Sequence, residues 1–126
     1  LTEFESFLLK NKIMSQQKTY FDPADLGKFG NITEFQATMG KKWFDYYAEV
    51  MKEGALTERE KALIALAVAH STQCPYCIDA YSKTCLEKGA DEEQMMEAVH
   101  VAAAIKSGTT LVYSVQMMNH VKKISM

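Results

Sequence analysis

Cys74 and Cys77 flank Pro75 and Tyr76 in the stretch HSTQCPYCIDAYSKTC, residues 70–85, which also holds His70 and the third cysteine, Cys85. Cysteine at a helix N-cap followed by proline at the first helical position leaves unpaired N–H groups beside the cap. Those groups and the helix dipole favour an anion there. A thiolate is such an anion, and it is the reactive form of cysteine. The i, i+3 spacing lets two sulfurs close a disulfide within one turn. One thiol can then attack a substrate while the other resolves the product. With a peroxide, the first becomes a sulfenic acid, and the second condenses with it to give a disulfide and water. Exchange with an external thiol resets the pair. Two plainer readings compete: inert, buried cysteines, and a structural zinc site formed by His70, Cys74, Cys77 and Cys85. Zinc usually takes a second CxxC or a CxxH, and neither exists here. Cys85 reads as a core residue. A thioredoxin-like fold would need βαβ units, and no strand pattern supports them.

A proton relay for such a dithiol can be sought on the same helical stripe. On one continuous helix, at about 100° per residue, Glu60, His70, Cys74, Cys77 and Tyr81 fall within about 100° of one another. His70 is the candidate base, because imidazole is the side chain that titrates near neutral pH. Its plainer role is a helix-end histidine. Tyr81, with a phenol reference pKa of about 10, is a hydrogen-bond donor rather than a base; it and Tyr76 could equally be pocket walls. Glu60 has a competing role as the N3 residue of a capping box. Asp79 points away from the stripe, and His100 and His120 read as structural or exposed. The eight methionines read as core filler.

The elements that must hold these side chains are helices. Asp22-Pro23 reads as a cap and first helical residue. Thr33 with Gln36 predicts a capping box opening EFQATMGKKWFDYYAEVMKE, whose buried face would be Phe35, Met39, Trp43, Phe44, Tyr47 and Val50. Thr57 with Glu60 predicts another box, opening a helix apolar on nearly all sides and therefore central or at a subunit interface. Cys74-Pro75 starts the next helix, and Gly89 suits its left-handed C-terminal cap. Asp91 with Gln94 opens a further helix, expected to end near Ser107-Gly108, and Thr109 begins the last. The expectation is an all-α bundle of about six helices in one domain, residues 1–126. Residues 1–32 are expected to be the least regular, and KTYFDPADLGKFGNIT is expected to be irregular chain suited to packing on another subunit.

Composition narrows the functions. Fourteen basic against sixteen acidic residues give a net charge of -2, which points to neither nucleic acid nor an anionic membrane. The longest apolar run, residues 62–69, is far too short to span a bilayer. The opening stretch LTEFESFLLKNK is amphipathic and acidic where a secretion signal is basic and then apolar. The first residue is not Met, so the numbering is expected to start within a longer sequence. Three cysteines are an odd number for a disulfide-stapled secreted domain, and the expected location is the cytoplasm.

The stretch ALTEREKALIALAVAHSTQCPYCIDAYSKTCLEKGADEEQMMEAVHVAAAIKSGTTLV resembles the alkylhydroperoxidase D-like group of the carboxymuconolactone decarboxylase superfamily, over a core of about residues 55–112. The resemblance implies an all-helical fold working as a homotrimer or homohexamer, and hydroperoxide reduction in members with CxxC. It implies that Cys77 meets the peroxide and Cys74 resolves it, whereas the helix-dipole argument favours Cys74 as the more acidic thiol. No tightly bound cofactor is implied, and with no second CxxC or CxxH no metal site is expected. The resemblance also implies a dithiol reductant, such as a lipoyl- or thioredoxin-type protein. Typical peroxidase members carry a glutamate and two histidines where this chain has Ala62, Tyr76 and Tyr81. That departure favours one alternative, a disulfide oxidoreductase without peroxidase activity; the other, a lactone decarboxylase-like lyase of the same superfamily, needs no dithiol, so the CxxC argues against it.

Overall fold

The computed structural model describes residues 2–16 and 22–126. Lys18 to Phe21, the start of the stretch expected to be irregular, lie outside them. The described elements are α1 (Glu3–Gln16), a 3-10 helix (Pro23–Glu34), α2 (Ala37–Met51), α3 (Glu58–Ser71), α4 (Pro75–Glu87), α5 (Glu92–Val112) and α6 (Ser114–Ile124). No strand occurs among the described residues, so the chain is all-α. The opening segment is more regular than expected, since it contains α1 and the 3-10 helix.

Three helices make the centre. α3 lies between α4 and α5, and the core formed by Ala62, Leu66, Cys85 and Ala90 is drawn from α3, α4 and the turn after α4. Ala62 and Ala90 let the backbones approach closely, and Leu66 fills the space between them. The α3 capping box forms in full: the Glu60 amide donates to Thr57 Oγ1 and the Thr57 amide to Glu60 Oε1, both at 3.1 Å. The Asp91–Gln94 box does the same for α5. An ion pair between Lys88 and Glu58, at 2.7 Å, ties the end of α4 to the start of α3. α3 and α4 are therefore antiparallel. The Lys106 ammonium donates to the Ser71 carbonyl, one of the open acceptors at the end of α3.

The turn between α3 and α4 sets the direction of the CxxC. Gln73 has φ 56°, in the left-handed region. The Cys74 amide donates to the Ala69 carbonyl and the Gln73 amide to the His70 carbonyl. This is a Schellman turn with glutamine where glycine is usual. The turn after α4 repeats the pattern at Gly89, φ 88°. A left-handed non-glycine residue costs roughly 1–2 kcal/mol, and glycine loses up to about 1 kcal/mol more backbone entropy on folding. Gln73→Gly is therefore expected to raise stability by about 0.5–1 kcal/mol, read as a higher urea midpoint at unchanged slope. A lower midpoint would mean that the glutamine side chain supports the turn.

Three expectations need correction. The Thr33–Gln36 box does not form. Thr33 stays inside the 3-10 helix, where its hydroxyl donates to the Gly30 carbonyl at 2.9 Å, and Gln36 makes no side-chain cap for α2. α5 does not end at Gly108, because that glycine keeps right-handed geometry and the chain runs on to Val112. The face of α2 is not buried within this chain: Phe35 just before the helix is 86% exposed and Met39 61%, while Trp43, Tyr47 and Val50 are also exposed. α6 likewise presents Val115, Met117, Met118, Val121 and Ile124 to the surface. The accessible surface is 10420 Å², against roughly 6,800 Å² for a compact single chain of this size.

Candidate active site

Cys74 is the N-cap of α4, with Pro75 at the first helical position. The cap is a sulfur: the Cys77 amide donates to Cys74 Sγ at 3.2 Å. The two cysteines form a disulfide, with their Cα atoms 5.3 Å apart. The spacing i, i+3 across a single turn makes that closure possible, as the sequence indicated. The open N–H groups of α4 face the cap and favour a thiolate on Cys74 when the pair is reduced.

Both cysteines line a pocket of about 410 Å³ with Tyr76 and with Asp25, Leu26, Lys28, Phe29 and Ile32. The last five come from the 3-10 helix, so the segment expected to pack on another subunit lies over this chain's own dithiol. Its sequence accounts for the arrangement. Asp22 caps the segment by accepting from the Ala24 amide, and Pro23 opens it. Leu26, Phe29 and Ile32 recur every third residue, and a 3-10 helix with three residues per turn puts such residues on one face. Asp25 and Lys28 share the same interval and form an ion pair at 2.9 Å. Asp25 holds the Lys28 ammonium above its ordinary pKa, through their hydrogen bond first and then through charge. The sequence reading missed these residues. The period of three in DPADLGKFGNI was the available signal.

The relay candidates are not gathered around the dithiol. His70 lines a different pocket of about 540 Å³, with Gln73, Pro75, Ile78, Asp79 and Ser82. His70 Nδ1 lies 2.8 Å from the Leu66 carbonyl. A carbonyl can only accept, so Nδ1 carries the proton of that hydrogen bond. Tyr81 lines a third pocket, between α2 and α4, with Tyr47, Glu58 and Lys88. The Tyr81 hydroxyl is hydrogen-bonded to the Tyr47 hydroxyl. Burial, then that hydrogen bond, pushes the Tyr81 pKa up, so the phenol stays protonated. Glu60 is exposed at the start of α3, its carboxylate engaged in the capping box. The hydrogen bonds from Thr57 hold its pKa below the usual glutamate value. Ten residues of helix, about 15 Å, separate its level on α3 from that of His70. The stripe drawn on one continuous helix fails because the Gln73 turn sends α4 back along α3.

His70, Cys74, Cys77 and Cys85 do not converge as a ligand set. Cys85 is fully buried in the core, and burial pushes its thiol pKa up. Among the described residues, no three His, Cys, Asp or Glu side chains are grouped to hold a metal ion. No helix among them is long and apolar enough to cross a membrane.

Ala62 is fully buried, and the Tyr81 ring packs against the cluster that contains it.

Comparison with known proteins agrees with this architecture. A Paracoccus denitrificans protein described as "Uncharacterized protein 4 in cox locus" is 48% identical over 65 residues, covering 52% of this chain and 59% of that protein. The chain thus matches less than two thirds of that relative's length. A crystal structure of a Methanobacterium thermoautotrophicum protein, a structural-genomics target, superposes with a TM-score of 0.65 at 30% identity, covering 68% of this chain and 97% of that one. The model of the carboxymuconolactone decarboxylase family matches residues 37–119, from the start of α2 into α6, and the chain belongs to that family.

Proposed function

We propose that this protein is a thiol-dependent, peroxidase-like oxidoreductase that reduces hydroperoxides through the Cys74–Cys77 dithiol. The observation that carries the reading is the redox pair at the N-terminus of α4, lining a pocket large enough for a small molecule. The Cys77 thiolate attacks the terminal peroxide oxygen, the O–O bond breaks, and the leaving alkoxide takes a proton to become an alcohol. Cys77 is then a sulfenic acid. The Cys74 thiolate, stabilised by the α4 N-terminus, attacks that sulfur, and hydroxide leaves and takes a proton as water. In sum, one hydroperoxide and two thiols give one alcohol, one water and one disulfide. A dithiol reductant of lipoyl or thioredoxin type restores the pair by exchange, and a reducing cytoplasm is the compartment suited to this cycle. In this reading Tyr81 supports the α2–α4 contact through Tyr47 and Glu60 caps the start of α3, while the His70 imidazole is held against the Leu66 carbonyl.

The exposed apolar faces of α2 and α6, and the roughly 3,600 Å² of surface beyond that of a compact monomer, support a homo-oligomer, a homotrimer or homohexamer by family likeness. A second chemical reading is favoured by one observation: neither His70 nor Tyr81 lines the dithiol pocket. A disulfide oxidoreductase without a peroxide step needs no such relay.

Titration decides between them. Fully reduced protein has three thiols. One equivalent of cumene hydroperoxide is expected to leave one, the buried Cys85, within seconds, with a mass loss of about 2 Da for the new disulfide. Oxidation no faster than that of free dithiothreitol, together with rapid exchange with a protein disulfide, would favour the second reading. Light scattering of the same sample should give a mass well above that of one chain; a monomer would remove the oligomer.

A further inference from the structure

We infer that Leu26, Phe29 and Ile32, on one face of the 3-10 helix, form a specificity wall that selects an uncharged, apolar organic hydroperoxide over hydrogen peroxide. The inference rests on the peroxidase reading and deepens it. These residues lie outside the segment matched by the family model, residues 37–119. All three line the pocket whose other side is Cys74, Tyr76 and Cys77. Phe29 is 42% and Ile32 53% exposed, so each still offers apolar surface to an occupant. The wall is supported from behind. The Phe29 ring meets the Trp43 and Phe44 rings edge-on, with centroids 5.4 and 5.1 Å apart, and Trp43 stacks on Tyr47. The charged groups of the pocket, Asp25 and Lys28, are paired with each other, so its charges balance and do not select an ionic substrate. A volume of about 410 Å³ suits an aryl or branched alkyl group and leaves hydrogen peroxide most of the pocket unfilled. Burying the organic part against the wall would hold the O–O bond near Cys77. The reaction is the one already balanced: the organic group leaves as its alcohol and the oxygen lost to sulfur leaves as water.

The test compares kcat/KM for cumene hydroperoxide and for hydrogen peroxide, with dithiothreitol as reductant, in the full chain. The wild-type ratio is expected to exceed about ten, from the apolar area a cumyl group can bury. Phe29→Ala is expected to lower that ratio roughly tenfold, chiefly by raising KM for the organic substrate. Ile32→Ser is a second variant that leaves the aromatic contacts of Phe29 in place and should lower the ratio in the same direction. Cumyl alcohol, the reaction product, should also bind the disulfide form and change the fluorescence of Trp43, the only tryptophan in the chain, and Ile32→Ser should weaken that binding. Turnover of both peroxides with a ratio near one, or a ratio unmoved by both variants, overturns the wall while leaving the peroxidase reading intact. No turnover of either peroxide overturns both.

Discussion

Cys77→Ser is expected to reduce peroxide turnover to below roughly a thousandth of the wild-type rate, because a serine hydroxyl stays protonated where a thiolate is the nucleophile. The paired variant Cys74→Ser should behave differently. Cys77 can still be oxidised once, so one equivalent of peroxide should be consumed and a sulfenic acid should accumulate, seen as a gain of about 16 Da. Without a resolving thiol the cycle stops, and excess peroxide should drive the residue on to the sulfinic acid. Cys85 cannot substitute, since it is fully buried between α3 and α4. The geometry leaves a clear rival for the order of attack. Cys74 holds the N-cap and accepts the Cys77 amide, which favours its thiolate. If Cys74→Ser is the inert variant and Cys77→Ser gains the single oxygen, the roles are exchanged. If neither change slows turnover, the dithiol is not the reacting centre.

Ala62→Glu is expected to destabilise the protein by about 3–5 kcal/mol, the range for an uncompensated buried charge. Since whole domains are stable by only about 5–15 kcal/mol, soluble yield should fall as well. The substitution introduces the residue type that the family resemblance implies at this place, into surroundings that offer it no partner. Ala62 is fully buried beside Leu66, Cys85 and Ala90. The Tyr81 hydroxyl is already bonded to Tyr47, and no polar or charged residue is buried among the described residues. Burial should raise the new carboxyl's pKa above its unfolded value of about 4.3. The penalty should therefore be full above the raised folded-state pKa, where both states are ionised, and shrink as the pH falls from there toward the unfolded value. Urea midpoints at pH 5 and pH 8 test this. Equal midpoints for wild type and variant at pH 8, with a faster peroxidase, would show that the site still accommodates a relay carboxylate.

Local chemistry was legible because its partners sit three or four residues apart. The boxes at Thr57–Glu60 and Asp91–Gln94, the Cys74-Pro75 helix start and the Gly89 cap each need only one turn of chain, and each forms as read. The disulfide belongs with them, since its two ends share that turn. The same logic misled at Thr33, where two local hydrogen-bonding patterns competed and the 3-10 pattern took the hydroxyl. It misled at Gly108 too, because glycine permits a left-handed cap without requiring one.

What surrounds the dithiol was decided by tertiary structure. Gln73 adopts a conformation that its residue type does not announce, and the resulting turn reverses α4 along α3. Residues that share a stripe on one continuous helix are thereby sent to separate places: His70 to one pocket, Tyr81 to another and Glu60 to the far end of the hairpin. The wall over the cysteines comes from residues more than forty positions earlier. By itself the sequence determined a helical chain with a closely spaced cysteine pair at a helix start, because periodicity, caps and CxxC spacing are short-range properties. Which side chains stand around that pair depends on how one turn directs two helices and where a short 3-10 segment comes to rest, and those contacts join residues that no local pattern connects.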